Sequence, residues 1–226
     1  KPLQVYSADN ELIAEYGGKL SVPVEYKQIP KPFISAFLAA EDSSFFEHSG
    51  ISFKGLGRAV SETITGSNVQ TGGSTITMQV AKNYYLTPER TLKRKLTEIF
   101  LARKIEQNLT KEEILTFYIN KVYMGNGNYG MLTAAKSYYG KDLKDLSIAQ
   151  LALLAGIPQA PSQYDPYTNP EAAQNRRDTV LAEMYEDGNI TKSEYDTARA
   201  TPITDGLQTL TESTSYEPYL DNYIKE

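Results

Sequence analysis

Apolar residues recur at helical spacing along most of the chain after its first thirty residues. Phe33, Phe37 and Leu38 share one face of a helix predicted over residues 31–43, and Pro32 suits the first turn of that helix. Start and stop signals predict further helices along the chain. One covers residues 74–85, and the next runs from Thr87-Pro88-Glu89 to about Glu106. Two more begin at Thr110 and at Ser147. The last two run from Asn169-Pro170 to Gly188 and begin at Thr191.

The two ends of the chain differ from this helical middle. Residues 1–18 predict two short strands joined by a turn at "SADN", and the tail from Ile203 has the Ser-, Thr- and Asp-rich composition of a linker or a domain edge. Residues 51–70 carry a thin apolar stripe broken by glycines. That segment suits either an ordinary loosened helix or a mobile amphipathic segment that touches a membrane. The predicted fold class is mainly α, in one domain.

Composition narrows the functions that this helical domain can have. The chain has 226 residues, a formal net charge of −5 and no cysteine. The acidic balance argues against broad electrostatic capture of nucleic acid, so an anionic ligand needs a local basic cluster. The lack of cysteine excludes disulfides, thiol catalysis and thiolate metal sites. No apolar run approaches the roughly 18 residues of a membrane span.

Two of the predicted helices place polar side chains in rows. At about 100° per residue, Thr75, Gln79 and Lys82 share one narrow wedge, with Asn83 at its margin. In the next helix Arg90, Arg94 and Glu98 form a single line, in a segment that Lys93, Lys95, Arg103 and Lys104 also make basic. The structural interpretation of the first row is a solvated helix face. The sequence leaves two interpretations of the second row open: a surface ion pair between Arg94 and Glu98, or a seat for phosphate or pyrophosphate.

The stretch "EDSSFFEHSG", residues 41–50, gathers two adjacent carboxylates and the only histidine of the chain. Glu41 follows an apolar helix, where partial desolvation suits a general base. His48, beside aromatic residues, is more typical of a packed structural residue than of a catalyst. Glu41 is therefore the predicted catalytic residue of this stretch.

Several familiar motifs do not support other activities. "GNGNYG", residues 125–130, matches a dinucleotide fingerprint only formally, because a helical pattern rather than a strand precedes it. No D-x-D, S-x-x-K, K-T-G or H-E-x-x-H occurs, which argues against a metal-dependent sugar-nucleotide transferase, a penicillin-reactive serine site and a zinc site. Carboxylates alone remain as ligands for Mg²⁺ or Mn²⁺ beside a phosphate.

Five motifs in order resemble the peptidoglycan glycosyltransferases, glycosyltransferase family 51. "EDSSFFEHSG" matches the first signature of that family, E-D-x-x-F-x-x-H-x-G. The other motifs are "GGSTITMQVAKN", "RKLTE" (94–98), "KEEILTFYIN" (111–120) and "RRDTVLAEM" (176–184). The lead-in "VYSADNELIAEYGG" and "GIPQAPSQYDP" further resemble class A penicillin-binding proteins of the 1a type.

This resemblance implies a fold, a reaction and a location. The fold would be lysozyme-like and mainly helical, with a large lobe and a smaller membrane-associated lobe, the jaw, near residues 51–70. The reaction would be polymerisation of lipid II into a growing lipid-linked glycan strand, with inversion at the anomeric carbon and release of undecaprenyl pyrophosphate. It would take place at the outer (periplasmic) face of the bacterial cytoplasmic membrane, and no nucleic acid or organic cofactor would take part.

The resemblance also implies roles for individual residues. Glu41 would be the general base. Lys82, Arg90, Arg94 and Lys95 would bind the pyrophosphate, with Glu98 assisting directly or through Mg²⁺ or Mn²⁺. Thr75, Gln79 and Asn83 would line the donor side, and Asp42, Phe45 and His48 would shape the cleft. Two positions depart from the family pattern: Met78 replaces a frequent glutamine, and Gln159 replaces a frequent lysine, which removes a cation from the cleft.

The resemblance divides the chain into three parts. Residues 1–30 would be a lead-in that follows a membrane anchor, 31–202 the glycosyltransferase domain, and 203–226 a linker toward a fused transpeptidase domain. Two other functions stay open. A muramidase or lytic transglycosylase also uses a cleft glutamate, but it needs no pyrophosphate seat. A non-catalytic lipid II-binding module would gain little from both Glu41 and Glu98.

Overall fold

Helices account for most of the residues that the computed structural model describes, which are 3–6, 12–16, 23–52, 74–85 and 92–209. The strands are β1 (Leu3–Tyr6) and β2 (Leu12–Tyr16), which pair antiparallel with Leu3 opposite Tyr16. The helices are α1 (Lys31–Glu41), α2 (Ile76–Tyr85), α3 (Leu92–Asn108), α4 (Lys111–Lys121), α5 (Met131–Tyr139), α6 (Ile148–Gly156), α7 (Pro170–Glu186) and α8 (Lys192–Ala200). The mainly α prediction is confirmed. The division into a large lobe and a jaw stays a prediction, because residues 53–73 lie outside the described residues.

Three helices begin at the capping residues that the sequence predicts. The side chains of Thr110, Ser147 and Thr191 each accept a hydrogen bond from the backbone N–H three residues on. The Glu or Gln side chain at that later position accepts one from the backbone N–H of the capping residue. These reciprocal bonds satisfy backbone groups that a helix start leaves open. The start of α3, predicted near residue 87, lies outside the described residues, and α3 extends to Asn108 rather than to Glu106.

The central helix is α6, which is buried on every side. All eight residues from Ala149 to Gly156 are buried, because this helix packs against both α1 and α7. A helix that is apolar all round belongs in the middle of a domain rather than on its surface. On the other side of the domain α2 packs against α3 and α4, and the C-terminal end of α1 points toward the space between the two groups.

The first helix is shorter than predicted, and the difference matters for the site. The prediction extended it to residue 43, whereas α1 ends at Glu41 and Asp42 leaves the helix with φ −165°. The physical reason is that the Asp42 side chain binds groups outside α1, namely His48 and the backbone N–H of Ile76 at the start of α2. Glu41 is thereby the last helical residue.

The glycine-rich stretch at 125–130 forms the connection between α4 and α5. Gly125, Asn126, Gly127 and Gly130 all have positive φ, and Tyr123 pairs with Tyr129 across the turn. The turn is tied to α5 because the Tyr138 hydroxyl donates to the Met124 carbonyl at 2.8 Å. The sequence-based predictions did not include α5, whose start follows this turn directly.

Residues after α8 still contact the domain as far as the described chain extends. Gln208 donates its backbone N–H to the Tyr138 carbonyl at 2.8 Å, and Gln150 reaches the Asp205 carbonyl at 3.3 Å. The predicted domain boundaries at 30 and 203 stay predictions. Within the described ranges no helix is both long enough and apolar enough to cross a membrane.

Candidate active site

A polar pocket of about 230 Å³ lies where the C-terminal end of α1 meets α2 and α3. The short 3₁₀ helix that follows α6, Ile157–Gln159, closes another side. The lining side chains include two carboxylates, three cations and two amides. The lining residues are Ala40, Glu41, Ser74, Gln79, Lys82, Arg94, Lys95, Glu98, Pro158 and Gln159.

The two carboxylate oxygens of Glu41 have different surroundings. Oε2 accepts a hydrogen bond from Gln79 Nε2 at 2.8 Å. Oε1 is buried and accepts none from any of the described residues. A buried acceptor without a partner is costly, so such an atom in a pocket is a candidate for contact with a ligand. Glu41 therefore has one oxygen held in place and one oxygen whose hydrogen-bonding capacity no described residue uses.

The amide of Gln79 is itself held in one orientation. Tyr118, a fully buried residue of α4, donates its hydroxyl to Gln79 Oε1 at 3.2 Å. With its oxygen occupied in this way, Gln79 turns its NH₂ group toward Glu41. Burial raises the pKa of Tyr118 well above its ordinary value, and the nearby Glu41 charge adds to this effect. The hydroxyl therefore stays protonated and remains a donor.

Burial raises the pKa of Glu41 above the ordinary value of a glutamate. Three groups oppose this effect and stabilise the ionised form: the hydrogen bond from Gln79, the positive charge of Arg176, and the hydroxyl of Tyr118. The neighbouring Asp42 carboxylate acts in the same direction as burial. A raised carboxyl pKa brings proton affinity closer to neutral pH, which suits a group that accepts a proton during a reaction.

The other end of the pocket is basic and is organised around Glu98. The Glu98 side chain is only 2% exposed and pairs with Lys95 at 2.8 Å. Lys95 also donates to Ser74 Oγ at 2.6 Å, so its ammonium group is fixed between α2 and α3. Lys82 is exposed and Arg94 is half-buried along the same wall. This arrangement presents cations to the same pocket that Glu41 lines.

Asp42 and His48 form a closed arrangement behind the pocket. His48 Nε2 lies 2.9 Å and 3.0 Å from the two Asp42 oxygens, and Ile76 N donates to Asp42 Oδ2 at 3.1 Å. Gly50 N donates to His48 Nδ1 at 3.1 Å, which assigns the histidine proton to Nε2. Through these contacts His48 links Asp42 to the loop, and its predicted structural role stays a prediction.

Lys111, at the start of α4, fixes the same loop from its other side. Its ammonium group donates to the His48 carbonyl at 2.6 Å and to Glu106 at 2.7 Å, and lies 4.4 Å from the centre of the Phe45 ring. Thr77 donates to the same Glu106 oxygen at 2.6 Å. The loop after Glu41 is thus attached to α2, α3 and α4 together.

Comparison with known proteins gives the family. The model of the transglycosylase family matches residues 9–185, well over half of the chain. The chain belongs to the transglycosylase family. This confirms the resemblance to glycosyltransferase family 51 and the expectation that the domain is an enzyme of the peptidoglycan glycosyltransferase class.

Relatives of this transglycosylase domain are much longer proteins. The chain is 53% identical to penicillin-binding protein 1A of Streptococcus oralis, covering 99% of the chain and 36% of that relative. It is 44% identical to penicillin-binding protein 1A of Escherichia coli, covering 100% of the chain and 26% of that relative. A crystal structure of penicillin-binding protein 1A from Haemophilus influenzae matches with a TM-score of 0.60 and 25% identity, over 100% of this chain and 23% of that one. The chain therefore spans about a quarter to a third of the length of these relatives.

The pocket of this transglycosylase brings together part of the predicted site. Glu41, Gln79, Lys82, Arg94, Lys95 and Glu98 all line it. Asp42, Phe45, His48 and Thr75 lie behind it: Thr75 is 2% exposed, donates to the Gly50 carbonyl and accepts from Met78 N at the start of α2. Asn83 is exposed on α2 and is not among the lining residues, and Arg90 lies outside the described residues. Their substrate contacts stay predictions.

Sequence reasoning did not single out two residues that act on Glu41. Tyr118 lies in the fourth motif, "KEEILTFYIN", and Arg176 begins the fifth, "RRDTVLAEM". The motifs marked both segments, but helical spacing within α4 or α7 gives no distance to α1. Arg176 donates from Nη2 to the Ala40 carbonyl at 2.8 Å, next to Glu41 in the chain.

The described residues do not form a metal site on their own. They contain no group of three His, Asp or Glu side chains that could ligate an ion. Glu98, the predicted metal contact, is already paired with Lys95. An ion at Glu98 would therefore depend on pyrophosphate oxygens for most of its ligands, as Mg²⁺ often does. The Mg²⁺ or Mn²⁺ contact stays a prediction, and no step proposed below uses a metal.

Proposed function

We propose that this transglycosylase polymerises lipid II into glycan strands, with Glu41 as the general base. The proposal rests chiefly on one observation: Glu41 Oε1, a carboxylate oxygen without a partner among the described residues, shares a pocket with Lys82, Arg94 and Lys95. A base and a cation cluster within one pocket fit a reaction that removes a proton at one end and releases an anion at the other.

In the proposed reaction Glu41 Oε1 takes the proton of the acceptor 4-hydroxyl. The hydroxyl oxygen forms a bond to the anomeric carbon of the growing strand as the bond from that carbon to the pyrophosphate breaks. Attack from the opposite side inverts the carbon from α to β. The bonding pair leaves with undecaprenyl pyrophosphate, and the proton stays on Glu41 until solvent removes it.

The cations would act on the leaving group. Negative charge grows on the pyrophosphate as its bond breaks, so fixed cations stabilise the transition state more than the ground state. Lys95 is fixed by Ser74 and Glu98, which keeps its ammonium group in place before the charge develops. Lys82 is exposed and lines the same pocket, where it would contact the same leaving group. The family resemblance implies that this reaction takes place at the outer face of the cytoplasmic membrane, where a lipid-linked pyrophosphate would be presented.

The cation cluster favours this reaction over the alternatives. A muramidase or lytic transglycosylase cleaves a glycosidic bond and releases no pyrophosphate, so it has no use for cations on the wall opposite its acid. A module that only binds lipid II has no use for a carboxylate of raised pKa, which is unfavourable beside an anionic ligand.

Polymerisation of fluorescent lipid II in detergent tests the proposal. We expect a ladder of products that a muramidase digests, a loss of roughly 10²- to 10⁴-fold in rate for Glu41→Gln, and a loss of about 10²-fold for Lys82→Ala. Matched exposed positions, Glu186→Gln and Lys144→Ala, should keep the wild-type rate. Retained lipid II binding by Glu41→Gln separates a base from a binding residue. Degradation of isolated cell wall without polymer formation would support the hydrolase instead.

A further inference from the structure

Arg176 of α7 caps the helix end that carries Glu41. Its Nη2 donates to the carbonyl of Ala40 at 2.8 Å, across 136 residues of sequence. The last carbonyls of a helix have no partner within that helix, and a cation near them is favoured by the helix dipole. Through this contact α7 determines where α1 ends, and Glu41 is the last residue of α1.

The arginine side chain is confined from two other sides. A Cβ atom added to Gly156 of α6 would lie 2.8 Å from Arg176 Cγ, so only glycine leaves room for the side chain at that point. The guanidinium carbon lies 6.0 Å from the centre of the Tyr164 ring. The Nε atom is buried and has no acceptor among the described residues. The hydrogen bond to Ala40 is thus the contact that orients the group.

Charged and titratable groups face Glu41 from several of the elements packed near it. Lys82 comes from α2, Arg94, Lys95 and Glu98 from α3, Tyr118 from α4 and Asp42 from its own helix end. The sequence of α6, "IAQLALLAG", contains no charged residue. Two influences mainly oppose the effect of burial on the pKa of Glu41. The hydrogen bond from Gln79 is the larger, and the positive charge of Arg176 comes next.

We propose that Arg176 is a positioning residue for Glu41, which holds the end of α1 and keeps the carboxylate ionised for proton transfer. This inference rests on the proposed role of Glu41 as the base, but it concerns the state of the carboxylate before any substrate binds. It assigns a purpose to the Arg176–Ala40 contact that neither motif spacing nor the pocket lining reveals.

Carbon-13 NMR titration of the Glu41 carboxyl, without substrate, tests the inference independently of the reaction. In ¹³Cδ-glutamate-labelled protein, the Glu41 signal is assigned as the one lost in Glu41→Gln. We expect its midpoint to move to higher pH in Arg176→Gln, and to move less in Arg176→Lys, which keeps the charge. An unchanged midpoint in folded Arg176→Gln would overturn the proposal, even if the protein polymerises lipid II.

Two further variants keep the test decisive if Arg176→Gln does not fold. Gly156→Ala leaves every charge in place but pushes against Arg176 Cγ, so the Glu41 midpoint should shift in the same direction by a smaller amount. Arg177→Gln is the matched control, because the neighbouring Arg177 is 1% exposed and binds Asp178 and the Thr201 carbonyl instead. That variant should lower thermal stability and leave the midpoint unchanged. A shift in Arg177→Gln equal to that in Arg176→Gln would contradict the inference.

The pH dependence of polymerisation provides the second readout. The acid limb of kcat/KM follows ionisation of the free base. In Arg176→Gln we expect kcat/KM to fall by roughly tenfold or more at neutral pH, with the deficit shrinking as pH rises. A loss of equal size at every pH would mean that Arg176 has only a structural role. If the wild type forms no polymer, the proposed function fails, and the NMR titration still decides the role of Arg176.

Discussion

Glu41 and Asp42 are neighbours in the chain, yet the Asp42 carboxylate binds residues behind the pocket and the Glu41 carboxylate lines the pocket. The Asp42 oxygens bind His48 and the Ile76 backbone N–H, in a scaffold that Glu106 and Lys111 extend. Glu41 accepts a hydrogen bond from Gln79 at one oxygen and has a second oxygen that no described residue satisfies. Among the described residues, the carboxylate behind the pocket thus has partners at both oxygens, whereas the carboxylate that lines the pocket has a partner at one oxygen only. The difference suggests that the scaffold supplies the rigidity which lets Glu41 stay in an unfavourable environment.

The scaffold and the pocket should therefore respond differently to substitution. Changes behind the pocket should lower the free energy of unfolding, and changes at Glu41 should lower the rate without lowering stability. The expected loss in the free energy of unfolding decreases from Lys111 to Asp42 to Tyr118.

Lys111→Met should have the largest effect. It leaves Glu106, whose side chain is 8% exposed, with Thr77 as its remaining donor, and it removes the bond to the His48 carbonyl. We expect a loss of about 2–3 kcal/mol, below the full cost of breaking a buried pair because Lys111 is partly exposed. Urea denaturation measures it. The exposed Lys144→Met is the control, and an equal loss in both variants would contradict a scaffold role.

Asp42→Asn should come next, at about 2 kcal/mol. His48 Nε2 lies 2.9 Å and 3.0 Å from the two Asp42 oxygens, so in either orientation the amide NH₂ of the variant would face the Nε2–H donor of His48. Thermal and urea unfolding measure the loss, and rates corrected for the folded fraction measure function. We expect the corrected polymerisation rate to stay far above that of Glu41→Gln. Equal loss of rate in the two variants would remove the distinction between the neighbouring carboxylates.

Tyr118→Phe should cost about 1 kcal/mol, the typical value of one buried hydrogen bond. It also frees the Gln79 amide to rotate, because the hydroxyl no longer holds Gln79 Oε1. We therefore expect kcat/KM to fall by up to about tenfold. Tyr139→Phe is a matched control on α5, since Tyr139 is also buried and does not contact Gln79. Wild-type activity in Tyr118→Phe would show that the amide needs no such support.

Glu41→Gln should have the smallest effect on stability, and with the opposite sign. A carboxyl whose folded pKa is raised binds more protons folded than unfolded between the two pKa values, so its contribution to stability falls as pH rises through that window. The glutamine variant lacks this loss. We expect it to match the wild type in acid and to exceed it at higher pH, as urea unfolding over a pH series would measure. Stability that rises with pH for the wild type relative to the variant would contradict the raised pKa.

The sequence predicts the helices well where the residues that fix a helix end are close together in the chain. The capping boxes at Thr110, Ser147 and Thr191 predict three starts, since the partners lie three residues apart. The end of α1 was predicted two residues late, because Asp42 leaves the helix for partners at His48 and Ile76 that no local pattern shows. The helix α5 was not predicted, because it begins directly after a glycine turn and has no side-chain cap at its start.

The candidate site divides along the same line. Spacing placed Arg94 and Glu98 on one side of a helix but could not tell whether that side faces water. In the fold Glu98 is buried while Leu96 is 68% exposed and Phe100 59% exposed, the reverse of an ordinary amphipathic helix. Tertiary packing against α2 makes that choice, and it brings Lys95 to Ser74. The contact of Arg176 with Ala40 spans 136 residues and is equally beyond local rules.

The unequal oxygens of Glu41 have a consequence for inhibitor chemistry. A compound that presents a hydrogen-bond donor to Oε1 gains a bond without breaking one in the protein, because no described residue occupies that atom. A donor aimed at Oε2 has to displace the Gln79 amide first. Compounds with an amide or hydroxyl at the first position and an anion directed toward Lys95 would use both ends of the pocket. These two contacts, with Glu41 Oε1 and with Lys95, would determine the orientation of such a compound whatever chemical framework joins its two groups.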